Sequence, residues 1–439
     1  MSRIVCVLFV LFVLGLLVTD VQHAVAQPLL TLEEALELAR RRNPSVQVSR
    51  LQARQAQNDY ALGTAGFWPQ LSFSMGWTGS LTNTRQQFLT NPEPVVRNGA
   101  QARRLDGGLQ LRWTIFDGLG QWARYRRLEA EATRAEADVR ATTNALLAEV
   151  AIAYYNLVRL QQQREVLAST VAISTERLEI AQMRYNLGAA SRLEVSRAQV
   201  DLNADQAALL RQEVLLAQER AAFNELLGRD PGTPFRTVDS IRVDPSLTLS
   251  ALHEAARERN PMLQQARASV SLTHHALQEL RAERWPQLDL IAGYMYTNLH
   301  SESGFMQESR TFDFSYGLSL SLTLFDGWNR RRRIENARLN YQANQVQLEQ
   351  VQRAIETELT QQYAAYQRYL DLITLEQDNL EAARLNVEVA LEQFRLGTIS
   401  SVELREVQQA LLQAEERLVN ARYEAKVAEI RLRQLAGQF

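Results

Sequence analysis

Two hydrophobic periods divide this chain. From Trp68 onward apolar residues fall at every second position: Leu71, Phe73, Met75 and Trp77 alternate with Gln70, Ser72, Ser74 and Gly76. A polar, turn-rich segment runs from Asn83 to Arg104, and alternation resumes with Leu109, Leu111, Trp113 and Ile115 before Phe116-Asp117-Gly118. Period two over such a length predicts the two strands of a β-hairpin, here within 68–118. The pattern returns over 285–327, where Phe312, Phe314, Tyr316, Leu318, Leu320, Leu322 and Leu324 alternate with small or polar residues. Almost everything else steps by threes and fours, as in Leu404, Val407, Leu411, Ala414, Leu418 and Ala421. That spacing is the seam of a left-handed coiled coil.

The register of these patterns shows one unit written twice. Pro44 matches Pro261 and Trp68 matches Trp285 at an offset of 217, while Asp117 matches Asp326 and Gly188 matches Gly397 at an offset of 209. The change of eight falls within the hairpins, where a repeat best tolerates a change of length. Each unit reads as two helices, strand, loop, strand, long helix, turn and long helix. The long helices are expected over 118–186 and 191–228, then 327–396 and 400–436. About 69 residues without a proline would span ~100 Å as helix. Thr31-Leu32-Glu33-Glu34 forms a capping box, Asn43-Pro44 and Asn260-Pro261 each end one helix and begin another, and Asp117 and Asp326 are N-caps. Residues 228–245, rich in Pro, Gly and Asp, connect the halves. The expected division is 1–26 as signal peptide, 27–246 as the first repeat and 247–439 as the second.

The signal peptide is read from Arg3, the apolar run Ile4–Val18 and Ala24-Val25-Ala26 before Gln27. Cys6, the only cysteine, lies within that run, so the mature chain is expected to lack disulfides and thiolate ligands. Past the signal no run approaches the ~18 apolar residues of a membrane helix. A formal net charge of -2, with no basic face, gives no reason to expect nucleic acid. The runs Arg40–Arg42 and Arg330–Arg333 read as solvated faces or as positive charge close to a membrane.

The strands raise a question that the helices do not. Alternation of apolar and polar residues over about ten residues is what a membrane β-barrel wall requires. All six tryptophans (68, 77, 113, 122, 285, 328) lie within or beside the four strands, as aromatic girdles would. The other reading is a soluble sheet whose apolar face packs on the helices. Four strands cannot close a barrel, and lipid does not tolerate an open edge. Several chains must then contribute: two would give ~8 strands, which side chains nearly fill, and three would give ~12 around a lumen.

The Thr-Leu helix openings with Asn-Pro, the W-P-Q-L strand starts (68–71 and 285–288), the F-D-G strand ends and the Leu-Gly turns together resemble the TolC-like outer-membrane efflux family, over nearly all of the mature chain. The resemblance implies a mainly α-helical protein with a membrane β-barrel portion. Each chain would add four strands to a 12-stranded barrel completed by a homotrimer, above a long coiled-coil α-helical barrel in the periplasm. It implies a passive exit duct in the outer membrane of a Gram-negative-type bacterium, serving tripartite efflux or type I secretion. The partners would be outer-membrane lipid, a periplasmic adaptor (membrane fusion) protein and an inner-membrane transporter.

In that family the Leu-Gly turns are the periplasmic tips where the adaptor docks, which here points to Leu187, Gly188 and Ser191 and to Leu396, Gly397 and Ser400. Helix capping alone also explains every one of these residues. Acidic residues just after the second tip form pore-constricting rings in the family, at the positions of Glu403 and Glu406. Their alternative is capping and surface ion pairing with Arg405. No catalytic constellation, cofactor motif or metal-ligand spacing emerges. The second functional class left standing is a periplasmic coiled-coil adaptor or scaffold that never enters the membrane.

Overall fold

The computed structural model describes residues 28–303 and 306–439. The expected signal peptide, with Cys6, lies outside the described residues. The elements run α1 (Leu32–Arg42), α2 (Pro44–Asp59), β1 (Gln70–Phe88), β2 (Asn91–Phe116), α3 (Gly120–Asn186) and α4 (Arg192–Leu226). The order then repeats as α5 (Leu249–Arg259), α6 (Pro261–Ala282), β3 (Gln287–Ser301), β4 (Glu308–Ser321), α7 (Asn329–Leu396) and α8 (Ser401–Leu435). Among the described residues no helix is long and apolar enough to cross a membrane. The chain divides into two compact units, each drawing on both repeats.

One unit takes Pro44–Ala145, Leu247–Gln362 and Leu432–Phe439 and contains the sheet. Its four strands lie in the order β1-β2-β3-β4, all neighbours antiparallel, so among the described residues the outer edges of β1 and β4 are unpaired. The register sets Leu71 opposite Leu111, Leu109 opposite Tyr294, and Tyr294 opposite Phe314. The alternation therefore collects on one face. Among the described residues nothing covers that face: Phe73 and Trp77 are each 69% exposed and Tyr316 is 79% exposed. Leu71, Phe73, Met75, Trp77, Phe312, Phe314, Tyr316, Leu318 and Leu320 all stand open. Burying large apolar side chains contributes roughly 1.5–3 kcal/mol each, so this face forgoes on the order of 20 kcal/mol until something covers it. The expectation of a soluble sheet packed on the helices fails here.

A second difference concerns Asn83 to Arg104. The sequence reads there as loop, but β1 continues to Phe88 and β2 begins at Asn91. Thr84 pairs with Arg97, Gln86 with Val95 and Phe88 with Asn91, with irregularities at Thr82/Thr84 and Gln86/Phe88. Backbone hydrogen bonds hold this ribbon, and they leave no apolar period to read. β3 pairs with β2 only as far as Ala102, so most of the ribbon extends past the rest of the sheet.

Where strands give way to helices, side chains satisfy the freed backbone groups. Asp117 Oδ1 accepts from the Gln121 amide at 3.0 Å, and Asp326 Oδ2 from the Arg330 amide at 2.7 Å. Gln121 Nε2 donates to the carbonyls of Gly66 and Thr114, and Trp113 Nε1 to that of Phe67. Arg124 and Arg127 both bond Glu279, at 2.7 and 2.8 Å. The Asn-Pro motif also gains a meaning beyond local capping. Asn260 caps Met262 and Leu263 and donates to the carbonyl of Leu435, closing the end of α8.

The other unit takes the chain up to Asn43, Leu146–Ser246 and Tyr363–Arg431. Here Asn43 donates to the carbonyl of Leu226 at the end of α4, as Asn260 does for α8. The two proline helices thus begin where the last long helix of each repeat finishes. The connection 228–246 is pinned rather than loose. Tyr154, fully buried, donates to the Leu30 carbonyl and accepts from the Val238 amide, and Phe223 packs between Tyr154 and Phe235. The helices meet through small apolar clusters, such as Leu178, Ala181, Ala198 and Leu202 between α3 and α4. Leu380, Ala414 and Leu418 join α7 to α8. The alanines in these seams let the helices approach closely, at little cost in side-chain entropy.

Candidate functional site

α3 ends in a Schellman turn: the Ala189 amide donates to the Arg184 carbonyl at 2.8 Å and the Gly188 amide to that of Tyr185 at 3.0 Å. α7 ends the same way, with Thr398 bonding Gln393 at 2.9 Å and Gly397 bonding Phe394 at 3.1 Å. Gly188 and Gly397 take φ of 74° and 78°, the left-handed conformation that this motif requires. Each turn then hands over to a serine cap. Ser191 Oγ accepts from the Glu194 amide at 3.3 Å. At the second turn the box is reciprocal: Ser400 Oγ accepts from the Glu403 amide at 3.2 Å, and the Ser400 amide donates to Glu403 Oε2 at 2.7 Å.

The turns keep their apolar residues outside, with Leu187 83% and Leu396 78% exposed. They are joined to each other from behind. Phe394 is fully buried with Ile180, Ala390 and Leu404, against Ile399 and Val407. The Arg184 guanidinium stands 5.3 Å from the Phe394 ring and donates to the Phe394 carbonyl at 3.4 Å. Arg395 pairs with Glu176 across to α3 and with Glu392 on its own helix at 2.5 Å. Those two carboxylates, Glu176 first, hold the Arg395 guanidinium above its ordinary range.

Glu403 and Glu406 are both exposed and three residues apart, hence on one face of α8. The hydrogen bonds from Ser400, amide first and hydroxyl second, lower the Glu403 carboxyl from its ordinary value. Capping thus accounts for part of Glu403. Among the described residues Arg405 is paired with neither glutamate. It reaches Asp205 on α4 instead, with two hydrogen bonds of 2.7 and 2.8 Å, and Ser174 on α3 donates to the same carboxylate at 2.6 Å. Asp205 is buried, and its hydrogen bonds raise the Arg405 guanidinium against the pull of burial. Beside this pair Arg177, also buried, bonds Asp201 and Gln408.

This polar layer joins α3, α4 and α8 just past the turns, and the sequence pattern did not point to it. Its one signal is that Asp201 and Asp205 stand four apart and Ser174 and Arg177 three apart, so each pair shares a helical face. Nothing local says that those faces meet. Chemically the region combines two exposed leucine turns, a pair of outward carboxylates and a buried ionic layer.

The comparisons with known proteins agree across both repeats. A family model described as outer membrane efflux protein matches residues 35–229 and 252–438, one stretch in each repeat. The chain is 28% identical to protein CyaE of Bordetella pertussis over 341 residues, covering 76% of this chain and 69% of that protein. It is 25% identical to the alkaline protease secretion protein AprF of Pseudomonas aeruginosa, covering 93% of this chain and 84% of that one. In fold it is similar to the solved outer membrane protein VceC of Vibrio cholerae, with a TM-score of 0.74 at 19% identity over 92% of this chain and 96% of the other. This chain belongs to the outer membrane efflux protein family, whose members are channels of the outer membrane rather than enzymes.

Proposed function

We propose that three copies of this chain close one barrel in the outer membrane and form a passive exit duct. The bare apolar face of the sheet, between two unpaired edges, carries this reading. Lipid covers such a face, and neighbouring copies satisfy the edges. Three sets of four strands make a wall of ~12, wide enough for a lumen. A periplasmic scaffold would leave both the face and the edges in water.

In this reading residues 27–246 and 247–439 are two efflux repeats following a signal peptide at 1–26. An inner-membrane transporter supplies the energy, and a periplasmic adaptor docks on the turns at Leu187, Gly188 and Ser191 and at Leu396, Gly397 and Ser400. The names of the relatives, secretion proteins among them, support a transport system of several components. Three-fold symmetry gathers Glu403 and Glu406 from each copy into a cation-binding constriction, by the logic of charged rings in channels. The test is fractionation followed by conductance in planar bilayers. Protein in the outer-membrane fraction that conducts, with cation block weakened in E403Q/E406Q, meets the expectation. Soluble, non-conducting protein overturns the duct, and unchanged block overturns the constriction alone.

A further inference from the structure

The run Arg330–Arg333 remains unused by the duct, and its surroundings say what it meets. The outward face of β4 continues through Leu322 and Leu324 to Phe325 and Trp328, all exposed. Phe325 and Trp328 pack edge to face with ring centroids 6.1 Å apart. Trp328 holds this place at φ 65°, a left-handed conformation that costs a bulky residue energy and that the local structure must impose. Next come the arginines, and they do not share one fate. Arg333 is neutralised by Glu283 at 2.6 and 3.1 Å, and Arg330 donates to the Thr323 carbonyl at 2.7 Å. Arg331 lies over the Trp328 ring at 6.0 Å, and Arg332 donates only to the Asn329 side chain at 2.9 Å. Among the described residues neither Arg331 nor Arg332 meets a carboxylate. Asp326 already caps the first amides of α7, so the charge presented here is that of the side chains.

The matching place in the first repeat serves as an internal control. There Leu119, Trp122 and Ala123 stand where Trp328, Arg331 and Arg332 stand in the second. The backbone does not need arginine at this junction, since α3 starts without it.

We infer that Arg331 and Arg332, with Trp328, form a docking surface for the phosphodiester headgroup of an anionic phospholipid, in the leaflet on the side of the helices. The apolar strand face runs without interruption into an exposed aromatic pair and then into two uncompensated guanidinium groups. That is the order of acyl chain, interface and headgroup. Guanidinium suits phosphate by charge and by planar geometry. The inference rests on the proposed barrel, because it needs the apolar face to lie in lipid.

The test uses the full chain, purified and inserted in planar bilayers to record conductance, and in parallel mass spectrometry of the intact protein with phosphatidylglycerol, phosphatidylcholine or lipid A. Phosphatidylglycerol should be retained over phosphatidylcholine, and its retention should fall as salt rises. R331Q/R332Q should lose roughly 25-fold in that retention while still conducting, from about fivefold for each of the two charges near a lipid surface. R331K/R332K should keep most of it. Unaltered retention in the glutamine variant, indifference to salt, or preferred retention of lipid A overturns the inference while the duct stands. Protein that neither inserts nor conducts overturns the duct, and the inference with it.

Discussion

Thr31 and Thr248 hold the same place in the two repeats, yet only Thr31 caps its helix with its side chain, in a reciprocal box with Glu34. Ala251 stands where the second repeat would need that glutamate. Ser191 caps in one direction and Ser400 in both. Arg405 in the second repeat bonds Asp205 in the first. By contrast Asn43 and Asn260 do the same work on Leu226 and Leu435, and left-handed glycines recur as Gly118 with Gly327, Gly188 with Gly397 and Gly228 with Gly437. What the halves share is what fixes the backbone. They differ in side-chain chemistry, and the second repeat holds the boxed tip and the exposed Glu403 and Glu406.

The comparison breaks most sharply at the cross-repeat pair. Arg405→Ala leaves the buried carboxylate of Asp205 with only Ser174, which should cost roughly 3–5 kcal/mol in a denaturation midpoint. Asp205→Leu together with Arg405→Leu should recover most of that, because the orphaned charge is what destabilises.

A smaller gap separates two glycines. Both Gly118 and Gly327 have φ near 70°, so alanine at either place bears a left-handed penalty of about 1–2 kcal/mol. A Cβ at Gly118 would also lie 2.4 Å from Trp285 Cβ and 2.7 Å from the Ala282 carbonyl oxygen, whereas at Gly327 the nearest atom is 3.8 Å away. Gly118→Ala should therefore lower stability by about 1–3 kcal/mol more than Gly327→Ala. Equal midpoints would mean that the two junctions are interchangeable.

The caps should differ by less. Thr31→Ala is expected to cost about 1 kcal/mol, and Thr248→Ala a few tenths, in the same measurement.

The finest effect is a pH dependence. With its folded pKa lowered by Ser400, Glu403 keeps its charge and its cap bonds above its unfolded value and loses them as pH falls through the lower folded one. Its share of cation block in single channels should hold from pH 7 down through the ordinary glutamate value and fade only below it. E403Q should show no such fading.

What could be read in the sequence follows the range of the interaction. Thr31 with Glu34, Ser400 with Glu403, and Asp117 before its helix all act within four residues, so their spacing declares them. The strand period declared the sheet because each apolar residue sits two from the next. Asp205 and Arg405 are 200 residues apart, and no periodicity says which helix faces meet. The ribbon 83–104 stayed hidden for another reason: it carries no apolar face for lipid or protein to cover, and so no hydrophobic alternation. The residues at the Leu-Gly turns were legible as turns, while docking leaves no mark that capping does not also leave.

The unequal hairpins carry a practical consequence. β1 and β2 continue to Phe88 and Asn91 as a ribbon of two strands, past the end of β3, and Leu89 at its turn is fully exposed. If the sheet spans the membrane, this turn is the chain's reach into the world outside the cell. Residues inserted there would lengthen a loop that is already closed, and doubling such a loop costs only about 0.6 kcal/mol. The turn between Leu89 and Thr90 is accordingly the place to install an epitope or a fluorophore, and to count ducts on intact cells.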